Sequence, residues 1–310
     1  MSVPPNDAAP APVIRHEVLS LQPALDYRGT FAPNAPLPVD GAELPAGWEA
    51  LYFPFDAPLD ALRPDGSPAE DGVLPPIDLP RRMYAGEDTV FHRPLHYGDS
   101  VEQRTSLAGI VRKQGRSGEL VFADIERRYS VGGELAVTSI WHDVFLGASV
   151  ARPPRTADDA DWSHSETLTP DARQLFRFSA ITFNTHRVHY DRAWAVEVEG
   201  LDDLLVHGPL TRVLMLDVVA RWQPQRRVAS FDITSTAPVL ADRSLRLVVR
   251  ETEPTGSTEA SSGVGADVFA LDESGGILAR GVVLWHPESG TVSDSSSESS
   301  SASVPAGGVS

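Results

Sequence analysis

The chain has no cysteine in its 310 residues, which excludes disulfides, thiolate nucleophiles and Cys-ligated zinc or iron–sulfur sites. Positive charge is also scarce, with 26 Lys+Arg against 43 Asp+Glu and a formal net charge of -17. That balance opposes adsorption to a nucleic-acid backbone or an anionic membrane surface. No segment approaches the run of about 20 apolar residues that a membrane span needs. The start, Met1-Ser-Val-Pro-Pro-Asn-Asp, carries neither a basic region nor an apolar stretch of signal-peptide length. Neither nucleic acid nor membrane is expected as a partner, and the cytoplasm is the expected compartment.

What is present is core material: 41% of the residues are hydrophobic, enough for two ordinary domains. Residues 1–40, rich in Pro and Ala, are expected to be an irregular lead-in with one short strand at Val13 to Leu21. The Pro-rich, acidic stretch from Ala151 to Trp162 suggests a linker over 151–172 between domains at 41–150 and 173–286. Residues 287–310, dominated by Ser, Gly and Glu, lack the apolar content to order themselves and are expected to be a disordered tail.

The two domains share landmarks. Pro94 is followed 38 positions later by Gly132-Gly133-Glu-Leu-Ala, and Pro238 is followed 37 positions later by Gly275-Gly276-Ile-Leu-Ala; each run leads into a Trp, at 141 and 285. Spacing this similar suggests a duplicated unit. Alternation predicts strands at Ser100 to Val111, Leu120 to Tyr129 and Leu135 to Phe145, then at Val228 to Thr234, Ser244 to Glu251, Ala266 to Ala270 and Leu278 to Trp285. The Gly-Gly pairs fit hairpin turns, which need positive φ. Helical spacing predicts one helix from after Asn184 to about Val196 and another from Pro209 to Arg221. Leu210, Val213, Leu214, Asp217 and Val218 fall at helical spacing along the second.

The run Asn184-Thr-His186-Arg187-Val-His189-Tyr-Asp191, followed 18 residues after His189 by His207-Gly208-Pro209, resembles the paired signature of the MaoC-like hydratases and dehydratases. The first half is similar to the degenerate N-terminal unit of double-hot-dog members at Trp48, Leu51-Tyr52-Phe53, Leu79-Pro80-Arg81-Arg82-Met83, Phe91-His92-Arg93-Pro94 and Gly115-Arg116-Ser117-Gly118. That subgroup includes 3-methylfumaryl-CoA hydratases and mitochondrial 3-hydroxyacyl-thioester dehydratases. The resemblance covers roughly Gly41 to His286. It implies an α+β double hot-dog fold, with two antiparallel sheets each wrapping a central helix, and a hydro-lyase acting on an acyl-CoA or acyl-carrier-protein thioester without a cofactor.

Hydrating an enoyl thioester requires a base for the water, a proton for Cα and stabilisation of the enolate-like oxygen. The resemblance gives the base to His189, whose side-chain type titrates in the useful range. Gly208, at a helix start, is the natural oxyanion donor because Pro209 has no N–H. Many relatives have Asp where this chain has Asn184; an amide takes no proton but can hold the water by a hydrogen bond, which leaves His189 as the only strong base. His186 occupies a positioning or structural place in the signature, and His207 reads as mainly structural beside the substrate. Arg81, Arg82, Arg187 and Arg212 are candidates for CoA phosphates or a second carboxylate, with a solvated surface as the competing reading.

Other readings are weaker. His186, His189 and Asp191 lack a third ligand at a recognisable metal spacing, Gly263-Val264-Gly265 lacks the setting of a nucleotide loop, and no Gly-x-Ser-x-Gly elbow occurs. A branched dicarboxylic enoyl-CoA of the 3-methylfumaryl (mesaconyl-C4) type is the leading substrate. The alternatives are dehydration of linear 3-hydroxyacyl thioesters and non-catalytic thioester binding; a thioesterase would want a carboxylate at the base position. A chain holding both units can act as a monomer, with a homodimer as the other arrangement.

Overall fold

The computed structural model describes residues 10–68, 72–115, 118–147, 154–158, 161–252 and 264–287. Its ten strands are β1 (Val13–Val18), β2 (Arg81–Phe91), β3 (Ser100–Gly115), β4 (Gly118–Val131), β5 (Glu134–Leu146), β6 (His164–Leu168), β7 (Val228–Ser235), β8 (Leu245–Thr252), β9 (Gly265–Leu271) and β10 (Ile277–Trp285). They form one antiparallel sheet in the order β1-β3-β4-β5-β2-β7-β10-β9-β8-β6. The order is a palindrome. Read inward from either edge, each half contributes five strands with the same connectivity, and the halves meet at β2 and β7, where Gly86 pairs with Thr234 and Val90 with Ser230.

All seven strands anticipated from alternation are present. The Gly132-Gly133 turn has φ of 58° and 83° at its two glycines, as a two-residue hairpin with both central residues left-handed requires. In the second hairpin only Gly275 is left-handed, at φ 83°. There Asp272 Oδ1 accepts the N–H groups of Ser274 and Gly276, both at 2.8 Å.

Three expectations fail. The lead-in is not irregular: β1 pairs along β3, and helix α1 (Leu21–Phe31) buries Ala24 and Tyr27, so the first repeat unit starts well before residue 41. The proposed linker contains β6, the edge strand of the second unit, while residues 151–153 and 159–160 lie outside the described residues. The helix expected after Asn184 instead precedes it, as α2 (Ala172–Thr182). Its start is fixed by a capping box in which Asp171 accepts the Arg173 and Gln174 N–H groups and Gln174 Oε1 accepts the Asp171 N–H, satisfying donors that the first helical turn leaves free. The tail expected at 287–310 lies, beyond Pro287, outside the described residues.

Helix α3 (Gly208–Trp222) matches its expected span, but it is not amphipathic. Residues Leu210 through Val219 are all buried, as befits a helix surrounded by protein. It packs against β8, β9, β2 and β6, the sausage position of a hot-dog fold. Among the described residues the first half has no helix of comparable length between α1 and β2, only single 3-10 turns at Trp48–Leu51 and Leu59–Ala61. One long helix therefore serves the joined sheet. Its inward charges are matched from the first half: the Arg212 guanidinium, fully buried, reaches Glu49 at 2.7 Å and Thr89 Oγ1 at 2.9 Å, while Asp217 accepts from Tyr27 Oη and Trp48 Nε1, each at 2.8 Å.

Candidate active site

Helix α2 ends on Phe183, whose φ of 50° is left-handed, and this turn swings Asn184 away from the helix axis. Asn184 N–H returns to Ser179 O at 2.8 Å, and Asn184 Oδ1 accepts the His186 N–H at 3.0 Å. Arg187–His189 then form a 3-10 turn and Trp194–Val198 a π-helical turn. His186 and His189 are thus not two residues on a helical face. They meet edge to face across a tight loop, with ring centroids 5.4 Å apart.

His189 is buried, and its Nδ1 lies 2.7 Å from Leu205 O. A carbonyl can only accept, so the proton sits on Nδ1 and the Nε2 lone pair is left available as a base. Burial, reinforced by the nearby His186, pushes its pKa down to about 3, against the opposing effect of the Leu205 carbonyl. The ring is therefore neutral at working pH. His207 stacks on it at 3.6 Å between centroids with 19° between planes, and is itself anchored by Ser179 Oγ at 2.9 Å from Nε2. Burial, then the neighbouring His189 and His186, hold His207 well below the ordinary histidine range.

Directly after His207 comes the start of α3. The Gly208 N–H has no acceptor among the described residues, and it belongs to the helix turn whose donors carry the positive end of the helix dipole. A side chain at 208 would overlap the Tyr84 ring of β2. Glycine is thus required at this place by a close approach, independent of any catalytic role.

The structure therefore gathers Asn184, His186, His189, His207 and Gly208 in one place. The arginines are dispersed. Arg82 forms a forked contact with Asp143 at 2.9 and 2.6 Å and lies close enough to His186 to oppose its protonation. Arg81 pairs with Glu199 at 2.8 Å and with Val198 O. Arg187 pairs with Asp191 at 2.7 Å and stacks over Trp194 at 3.9 Å. Arg212 is corrected outright: it lies among Glu49, Thr89 and Glu87, where burial and counter-charges leave no face for a substrate. Among the described residues no group of His, Asp or Glu is arranged to hold a metal.

Sequence reasoning missed the contributions of the first half. Tyr84 abuts Gly208, and the turn Arg63-Pro-Asp65-Gly66-Ser67 lies against the histidine loop, with Arg187 N–H to Asp65 O and Thr185 Oγ1 to Gly66 O both at 2.7 Å. Asp-Gly is a legible turn signal, but nothing in it says what the turn touches.

A sequence profile described as hydroxyacyl-thioester dehydratase type 2 matches residues 47–241, spanning the first-half turn, the histidine loop and α3. The chain belongs to that family. This hydroxyacyl-thioester dehydratase type 2 member is 35% identical over 262 residues to the mesaconyl-C(4)-CoA hydratase of Chloroflexus aurantiacus, covering 83% of this chain and 93% of that one. It is 24% identical to the mitochondrial hydroxyacyl-thioester dehydratase type 2 of Schizosaccharomyces pombe, over 78% and 91% of the two chains. Among solved structures, HtdX from Mycobacterium tuberculosis superposes with a TM-score of 0.63 at 17% identity, over 88% of this chain and 99% of that one. A second M. tuberculosis protein, described as having a double hot-dog fold, gives 0.56 at 16%, over 89% and 96%. The fold of this family member is the double hot dog expected from its sequence, but in place of two sheets each with its own central helix the described residues form one joined sheet around the single long helix α3.

Proposed function

We propose that the protein reversibly adds water to the double bond of an enoyl-CoA, with His189 as the base, Gly208 N–H as the oxyanion donor and Asn184 as the holder of water. The observation that carries this reading is the tautomer of His189. With Nδ1–H committed to Leu205 O, Nε2 is a fixed, neutral acceptor next to the free amide at the start of α3.

Water held by Asn184 loses a proton to His189 Nε2 as its oxygen bonds to Cβ. The π electrons move toward the thioester carbonyl, and the developing oxyanion is met by Gly208 N–H and the helix dipole. Collapse of this enolate takes the same proton back at Cα. An imidazole whose pKa is about 3 in the empty site is a weak base there, but negative charge accumulating on the thioester stabilises the imidazolium and strengthens it during the reaction. Asn184 holds its water with the amide NH2 and the remaining carbonyl lone pair, since the other lone pair binds the His186 N–H.

A branched dicarboxylic acyl group of the mesaconyl-C4 type fits best. The relative at 35% identity carries that name, and Arg82 provides a cation near the histidine pair. His186 and His207 complete the site, with His207 acting by packing on His189; Arg81 and Arg187, each already paired with a carboxylate, remain candidates for the CoA phosphates only. The cysteine-free composition supports a cytoplasmic location, and two halves joined in one chain support a monomer with one site, or a dimer of such chains. The test is a panel of linear, branched and dicarboxylic enoyl-CoAs read by mass spectrometry. Gain of one water with the dicarboxylic member preferred is expected; preference for linear chains would reassign it as a fatty-acyl-type dehydratase. Release of free CoA would make it a thioesterase.

A further inference from the structure

Asn184 leaves the histidine pair without a carboxylate from its own loop, yet one faces the pair from the other half of the chain. Asp65 is buried in the turn between the second 3-10 turn and β2. Its Oδ1 accepts from Ser67 N–H at 2.8 Å and Ser67 Oγ at 2.6 Å, which fixes the side chain. Its Oδ2 then stands 4.0 Å from His186 Nε2 and 3.7 Å from Arg63 Nε. The turn is pressed onto the loop: Gly66 has φ +82°, and a Cβ there would overlap Thr185 O. The bonds from Arg187 N–H to Asp65 O and from Thr185 Oγ1 to Gly66 O close the contact on both sides.

We infer that Asp65 is a positioning residue of the active site, supplied by the half that lacks catalytic groups, and that it acts on His189 through His186. The inference rests on the hydratase reading above. A carboxylate opposite His186 Nε2 favours the tautomer with its proton there and lowers the cost of positive charge in the pair. The groups facing His186 are Asp65 and Arg63 from the turn, Arg82 of β2 with its partner Asp143, His189 from the loop and His207 ahead of α3. Asp65 is the one carboxylate among them not taken up by a forked arginine contact. The turn's bonds to Arg187 N–H and Thr185 Oγ1 hold the loop that carries Asn184, His186 and His189.

Asp65→Asn separates charge from shape, because an Asn Oδ1 still accepts from Ser67. It is expected to lower kcat by about tenfold with KM changed by less than about twofold. The acid limb of the pH–rate profile should move down by about half a unit or more, as removal of a negative neighbour makes the imidazolium easier to deprotonate. Asp65→Glu, which restores charge, should recover part of the rate. Thr185→Val, which removes a turn-to-loop bond and no charge, should lower kcat with the acid limb in place. An unmoved acid limb in Asp65→Asn, or a rate that falls only in step with the thermal midpoint, overturns the inference. If the wild type hydrates no enoyl-CoA, the reaction reading fails, and the pairing is then decided by NMR titration of the His186 imidazole. A fall in its pKa in Asp65→Asn supports the pairing, and no change removes it.

Discussion

In the first half, Glu43 bridges His96 and the Leu44 N–H meets Leu95 O at 2.7 Å; in the second, Leu205 bridges Leu240 and the Val206 N–H meets Val239 O at 2.8 Å. These are the same contacts repeated, and they fix the register between the halves. Two residues further on, Pro45-Ala46 stand where the second half has His207-Gly208. Then Trp48 begins a single 3-10 turn, whereas Leu210 continues a helix of 15 residues. The stretch before the bridge differs too. From Phe31, the end of α1, to Glu43 is 12 positions, and from Thr182, the end of α2, to Leu205 is 23. The longer stretch holds Asn184, His186 and His189.

The difference shows how a duplicated unit divides labour. The second half spends its extra residues on a histidine loop and a long buried helix. The first half, relieved of both, instead has the turn at Arg63 to Ser67, which reaches the other half's loop at Asp65 and Gly66. Its strand β2 then supplies Tyr84 behind Gly208. Without a histidine loop of its own, the first half forms the wall and clasp of the candidate site in the second.

The largest break in this asymmetry should come from His189→Ala, which is expected to lower the hydration rate by at least about a thousandfold, measured as kcat/KM. Placing His and Gly at positions 45 and 46 should restore none of it, since no histidine loop faces them; any recovered turnover would show the first half to be less degenerate than its sequence. Next, Arg212→Leu should destabilise by about 3–5 kcal/mol in chemical denaturation, because Glu49 and Glu87 would be left as buried carboxylates without their cation. Simultaneous Glu49→Gln and Glu87→Gln should recover much of that loss.

Asp217 offers a smaller and pH-dependent handle on the same seam. Burial raises its pKa from 3.8 to about 6, against the pull of Trp48 and Tyr27. A carboxyl with a raised folded-state pKa stabilises in its protonated form. Its contribution is complete below about pH 4 and is lost as pH rises through about 6, to an extent on the order of 3 kcal/mol. Asp217→Asn should flatten that part of the stability–pH curve in thermal melts; an unchanged slope would mean that the carboxyl is not protonated there. Smallest in stability, at about 1–3 kcal/mol, is Gly208→Ala, which must displace the Tyr84 ring. Its kcat should fall further than its thermal midpoint accounts for, because the strain against Tyr84 falls on the residue whose N–H is the proposed oxyanion donor.

The histidine signature was legible because its residues lie in one short run and keep their spacing to His207-Gly208. Strands β3 to β5, β7 and β10 were legible because one face of each meets the core more than the other, whereas β8 and β9, buried on both faces in their middle, were legible as short apolar runs between turn signals. By contrast, β2 opens with Arg81-Arg82 and carries Glu87 and Asp88, so it reads as polar; its charges are answered by Asp143, Arg212 and Ser139 from elements far away in sequence. Strand β6 is a five-residue edge, and α2 announces itself only by the Asp171–Gln174 cap. The arginines misled for the same reason: Arg212 looks like any cation on a helix until Glu49 and Glu87 are seen beside it.

By itself, then, the sequence determined the duplication, the run of candidate catalytic side chains and the family, because each depends on residue types at short or regular spacing. The tertiary structure alone decided which nitrogen of His189 carries the proton, which arginines are already neutralised and that the first half's Asp65 faces the second half's His186. Those are matters of distance between segments remote in the chain. The pairing of β2 with β7 brings the two halves edge to edge, and the bonds from the Asp65-Gly66 turn to the histidine loop make those segments neighbours.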